Sequence, residues 1–172
     1  MANKKIAVIL AGSGVFDGSE IHEATLTLYS ISKNGGTYQI FAPDIEQHHI
    51  INHITGEEMD EKRNVLIEAA RIARGDIKNL EEYNSDDFDA VIFPGGFGVA
   101  KNLCTLAFDG PDCKVNELTA NKIKETAAKN KPIGALCISP ALIAKVLGQG
   151  EYTIGQDEGT AQAIEKMGGK HI

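Results

Sequence analysis

Cys137 stands where a nucleophile would be placed. The apolar run 133–136 ends at it, and Ser139-Pro140 behind it opens a helical pattern over 141–147 that closes at Gly148, proline being suited to a helix's first turn. A strand, a turn at cysteine and a helix would set the sulfur against unpaired helix N–H groups and the positive end of the helix dipole, which is the layout of a nucleophile elbow. The plain alternative is a small buried apolar residue, a common place for free cysteine. A second motif, Pro94-Gly95-Gly96-Phe97-Gly98, directly follows the apolar run 89–93. Its glycines would let the backbone approach a ligand and aim N–H groups at a developing oxyanion, or simply make a tight turn. A third, Ser19-Glu20-Ile21-His22-Glu23, puts two carboxylates on the first turns of a helix. One of them could reach the cysteine's edge of the sheet and move protons there; in water both would only complement the helix dipole.

Two further motifs suggest chemistry and then lose it. Gly12-Ser13-Gly14 invites comparison with the dinucleotide fingerprint, but Asp17 occupies the third glycine position, one residue before Gly18, and no acidic residue is convincingly placed after strand two. His49 and His53 have the i,i+4 spacing of metal ligands only on a helix, and no cysteine or carboxylate near His48 completes a set. Surface or interface histidines are expected there, and neither a metal nor a cofactor is expected anywhere.

These residues need elements to hold them. Short apolar runs alternate with amphipathic ones, which predicts βαβ units on a mostly parallel sheet with helices on both faces, an α/β three-layer sandwich. Strands are predicted over 5–11, 37–42, 89–93, 133–136 and 152–155. Helices are predicted over 19–34, 60–74, 115–129, 141–147 and 158–167, most of them closed by glycine. With 172 residues and 42% hydrophobic content the chain suits one domain, 1–172. A formal charge of −7 without a Lys/Arg run argues against nucleic acid and anionic membrane as partners. No stretch approaches the roughly 18 apolar residues of a membrane span. Cys104, Cys113 and Cys137 are an odd number without a C-x-x-C pair, which argues against a disulfide framework and predicts a reducing, cytoplasmic setting.

Four stretches carry a family resemblance: Gly14-Val15-Phe16-Asp17-Gly18-Ser19-Glu20-Ile21-His22-Glu23, Ile51-Asn52-His53-Ile54-Thr55-Gly56-Glu57, Arg63-Asn64-Val65-Leu66-Ile67-Glu68-Ala69-Ala70-Arg71-Ile72, and Pro94-Gly95-Gly96-Phe97-Gly98-Val99-Ala100-Lys101-Asn102-Leu103. With them the chain resembles the DJ-1/PfpI superfamily over nearly its whole length, and within it the ElbB-like glyoxalases, also described as ES1 or enhancing lycopene biosynthesis proteins. The resemblance implies a flavodoxin-like fold, a homodimer, no cofactor, and a small dicarbonyl as substrate. It puts the nucleophile on Cys137, the helix carboxylate on Glu23, and the oxyanion donors on the backbone of Gly96 and Ile138. The superfamily usually has histidine directly after the cysteine, where this chain has Ile138. Proteins of this branch also normally continue beyond the equivalent of Ile172 with a further strand and helix, so the domain is expected to lack those elements.

Two functions follow. One is a cofactor-independent glyoxalase, of lyase or hydratase type, that converts glyoxal-like 1,2-dicarbonyls to hydroxy acids. The other is a non-enzymatic redox-responsive or chaperone-like module using the same cysteine, which Ile138 in place of histidine would suit.

Overall fold

The computed structural model describes residues 3–172. In chain order the elements are β1 (Lys5–Ile9), α1 (Ile21–Lys33), β2 (Thr37–Ala42), α2 (Val65–Ala73), β3 (Ile77–Asn79), β4 (Ala90–Phe93), α3 (Leu106–Asp109), α4 (Glu117–Ala128), β5 (Ile133–Ala135), α5 (Ser139–Leu147), β6 (Glu151–Tyr152), α6 (Glu158–Lys166) and β7 (Lys170–His171). Five strands form one sheet in the order β3-β2-β1-β4-β5, and every pair in it is parallel. This is the α/β sandwich that the alternation predicts.

β1 explains why a parallel strand reads as an unbroken apolar run: both of its faces are covered. Ala7 and Ile9 point into one core with Phe41, Phe93, Ile123 from α4 and Leu142 from α5. Val8 and Leu10, on the alternate parity, point into the other with Ala24 from α1 and Val65 and Ala69 from α2. The sheet therefore lies between two helical layers, as predicted. The order of strand addition reverses between β1 and β4, β2 and β3 following on one side and β5 on the other, so the loops leaving their carboxyl ends part there and open the crevice in which α/β sheets bind ligands.

Several elements depart from the sequence reading, among them the single turn of α3, which was not predicted. The helix predicted over 60–74 begins only at Val65, because Asn64 caps it by accepting from the Ile67 N–H at 3.0 Å, while Glu46 and Asn64 form an antiparallel bridge. Residues before Asn64 thus spend their backbone groups on a neighbouring segment instead of a helix. The strand predicted over 152–155 shortens to β6, which pairs with β7 in a separate two-stranded sheet and not with the main one. β3 was not predicted: Ile77-Lys78-Asn79 has no apolar pattern and is a strand only through its pairing with β2. Among the described residues no helix is long and apolar enough to cross a membrane.

Candidate active site at the carboxyl edge

β5 runs into Leu136, whose N–H still donates to Phe93 of β4 at 3.0 Å, and the chain then turns sharply at Cys137. Cys137 has φ of 56°, the left-handed region that non-glycine residues adopt at a cost of about 1–2 kcal/mol. The turn is closed by the Ser139 N–H donating to Leu136 O at 2.9 Å, and Ser139 Oγ, fully buried, donates to Pro94 O at 3.0 Å. One serine therefore ties the cysteine turn to the glycine loop. Strain held by surrounding hydrogen bonds is what an elbow requires, and it leaves Cys137 exposed while Cys104 and Cys113 are buried.

The glycine loop is packed against α1 at backbone distance. Gly95 O accepts from the Glu20 N–H at 2.9 Å, and the Gly95 N–H donates to Glu23 Oε2 at 2.8 Å. A side-chain carbon at Gly95 would collide with Cβ of Cys137 and lie 2.7 Å from Glu23 Oε2. Glycine is thus the spacer that lets the Glu23 carboxylate and Cys137 face one small volume. No hydrogen bond joins Glu23 to Sγ among the described residues.

Glu20 does a different job from Glu23. It caps α1, its Oε2 accepting from the Glu23 N–H at 2.7 Å and its Oε1 meeting His22 Nδ1 at 2.7 Å. Burial alone would raise the Glu20 carboxyl, but the hydrogen bonds from Glu23 and His22 outweigh it and hold the group below its ordinary range. Of the two carboxylates left open by the helical spacing, only Glu23 turns toward the glycine loop. His22 is an exposed partner of Glu20.

Gly96 and Ile138 both line a pocket of ≈ 230 Å³ together with Cys137. Neither backbone N–H has a hydrogen-bond partner among the described residues, and no side chain caps the start of α5. Gly96 has φ of 103°, and a Cβ there would run into Glu20 N and Gly18 O. Gly96→Ala is therefore expected to destabilise the fold by about 2–4 kcal/mol, combining backbone strain with overpacking against main chain. A lower urea midpoint at an unchanged slope is the check.

The remaining sequence motifs serve as scaffolding. The Gly12–Gly18 loop closes on itself, with Gly14 N donating to Ser19 O at 2.8 Å and Gly18 N to Gly14 O at 2.7 Å. Asp17, where the fingerprint glycine would be, is buried and accepts from the Ile51 N–H at 2.7 Å. His53 Nε2 accepts from the Phe16 N–H at 3.3 Å, while His48 and His49 pack on Phe108 with centroids 4.4 and 5.3 Å away.

Sequence reading missed two contributors. Asn102 is buried and joins three segments, donating to Ala11 O and Asp17 O and accepting from the His48 N–H. Its one signal was a polar residue inside an apolar stretch. The pocket's outer wall, Ile154, Asp157 and Thr160, comes from the loop into α6 and the start of that helix, a long-range approach that local pattern does not encode.

The two buried thiols are poor nucleophiles for a physical reason. Burial pushes the Cys104 thiol up to about 12 and raises Cys113 as well. Brief iodoacetamide treatment of the native protein should label Cys137 first, read by peptide mass mapping. Faster labelling of Cys104 or Cys113 would contradict the site.

Known proteins share the fold that carries this geometry. No protein-family model matches the chain. A solved structure, an isoprenoid biosynthesis protein with an amidotransferase-like domain from Ehrlichia chaffeensis, superposes with a TM-score of 0.91 at 40% identity, covering 98% of this chain and 78% of that one. The ES1 protein homolog of Rattus norvegicus and the glutamine amidotransferase-like class 1 domain-containing protein 3 of Homo sapiens are each 49% identical over 177 residues, 97% of this chain. The ES1 protein of Danio rerio is 38% identical over 186 residues, 98% of this chain and 69% of that protein. The chain belongs to the ES1 family. It spans 66% of the length of the rat and human relatives. A glyoxalase III from Candida albicans shares the fold, with a TM-score of 0.62 at 15% identity.

One expectation is overturned by these relatives. Both the rat and the human protein are named mitochondrial, against the cytoplasmic setting read from the cysteines. Free thiols report a reducing environment, and that property does not say which reducing compartment holds the protein.

Proposed function

We propose that this ES1-branch chain is a cofactor-independent glyoxalase that converts 1,2-dicarbonyls to 2-hydroxy acids. What carries the reading is one arrangement: an exposed cysteine on a strained elbow, the unpartnered backbone N–H groups of Gly96 and Ile138 beside it on one pocket, and the Glu23 carboxylate held by the N–H of the neighbouring Gly95.

Cys137 thiolate adds to the aldehyde carbon, and the carbonyl electron pair moves to oxygen, where the Gly96 and Ile138 N–H groups hold it. Glu23 takes the proton from that carbon and returns it to the neighbouring ketone carbon. The former aldehyde is then a thioester, and the former ketone oxygen takes up the proton that Cys137 released on ionising and becomes an alcohol. Water hydrolyses the thioester, releasing the hydroxy acid and regenerating the thiol. The electrons lost by one carbon are gained by the other, so R–CO–CHO plus water gives R–CHOH–COOH without an external oxidant.

The test is to incubate the protein with methylglyoxal and follow lactate by NMR. Lactate formed in proportion to protein supports the reading; consumption of methylglyoxal with no hydroxy acid, leaving only adducts, removes it. A second reading, a redox-responsive module, is favoured by Ile138, because isoleucine and not histidine directly follows the exposed thiol. Selective peroxide oxidation of Cys137 without lactate would support it.

A further inference from the structure

Resting on the glyoxalase reading, we infer that the pocket over Cys137 selects uncharged dicarbonyls with an apolar chain and disfavours those ending in a carboxylate, with Asp157 as the selecting residue.

Size comes first. The pocket holds ≈ 230 Å³; at about 30 Å³ per water-sized group, the four heavy atoms of glyoxal would fill about half of it. Room therefore remains beyond the reacting carbons. Val15, Phe97, Ile138 and Ile154 wall that room, and a second pocket of ≈ 260 Å³ continues it, sharing Phe97 and Ile138 and adding Ala100 and Leu106. Phe97 is 50% exposed, apolar surface that a substrate chain would cover.

Charge decides the second half. Asp157 is the sole charged side chain lining either pocket, and neither is lined by Lys, Arg or His. Asp157 caps α6, its Oδ1 accepting from the Thr160 N–H at 2.7 Å, and its hydrogen bonds to Thr160 hold the carboxyl below the ordinary range, so it is an anion at neutral pH. It also occupies the helix N-terminus that would otherwise attract a substrate's carboxylate. An anionic substrate therefore meets a lining carboxylate and no lining cation. Because Asp157 is exposed, water weakens the repulsion to a modest factor.

The matched probes are propylglyoxal and the same skeleton ending in a carboxylate in place of its methyl group. Propylglyoxal should exceed methylglyoxal in kcat/KM, by up to about fourfold for each methylene fully buried, and exceed its carboxylate counterpart by about tenfold. Asp157→Asn keeps the cap oxygen and removes the charge, so it should narrow that last ratio by about threefold. A carboxylate probe turned over as well as propylglyoxal, or a ratio unmoved in Asp157→Asn, overturns the inference while leaving the glyoxalase reading standing. Failure of the folded protein to turn over any of the three dicarbonyls removes the glyoxalase reading itself, and the inference with it.

Discussion

Cys137→Ala is expected to abolish dicarbonyl turnover, lowering kcat/KM on the order of 10⁴-fold or more, because no bond can then form to the aldehyde carbon. The variant is a clean one. Alanine keeps the Cβ that packs over Gly95 and inherits the same left-handed backbone, so the elbow's strain is unchanged. An exposed thiol contributes little packing, and stability should move by no more than about 0.5 kcal/mol. Cys137→Gly makes the complementary test. Glycine adopts φ of 56° without a Cβ penalty, so this equally inactive variant should be more stable than the parent by about 1 kcal/mol. Activity lost and stability gained at one residue would identify the elbow as strained for function. Full turnover in Cys137→Ala would sink the mechanism.

The elbow was legible in the sequence because it lies at the junction of two strong local signals, an apolar strand run and Ser139-Pro140 opening a helix. The glycine loop was legible for a similar reason: β4 ends abruptly at Pro94, and three glycines in the next four residues have no use in a strand or helix. What spacing could not settle was which α1 carboxylate faces inward. Glu20 and Glu23 lie three apart on a helix and differ only in whether the residue caps the helix or belongs to it; the resemblance named Glu23, and the geometry turns it toward Gly95. β3 and Asp157 were illegible because each acquires its place from a distant partner, β3 from an edge of the sheet and Asp157 from α6 folding back beside the cysteine turn. Capping also blurred the start of α2, since Asn64 reads equally well inside a polar first turn or just before it.

The absence of histidine after Cys137 places the whole proton inventory on Glu23, and that yields the second large effect. A positioned general acid–base contributes about 10²–10⁴-fold. With Ile138 next to the nucleophile there is no imidazole to share the load, and His22, turned outward onto Glu20, is not placed to substitute. Glu23→Gln retains size and an amide oxygen able to accept from the Gly95 N–H at the 2.8 Å now held by Oε2, so the glycine loop and the Gly96 donor should stay where they are. The substitution removes only the group that can take a proton from one carbon and hand it to the next. Turnover should therefore fall by about 10²–10⁴-fold, while iodoacetamide still labels Cys137 and the unfolding free energy from urea titration stays within about 0.5 kcal/mol of the parent. Hemithioacetal formation does not require that transfer, so the variant should still bind dicarbonyl at Cys137, visible as an adduct by mass spectrometry. Retention of full activity in Glu23→Gln alongside its loss in Cys137→Ala would mean that a bound water or another group moves the proton, and the role given to Glu23 would have to be withdrawn.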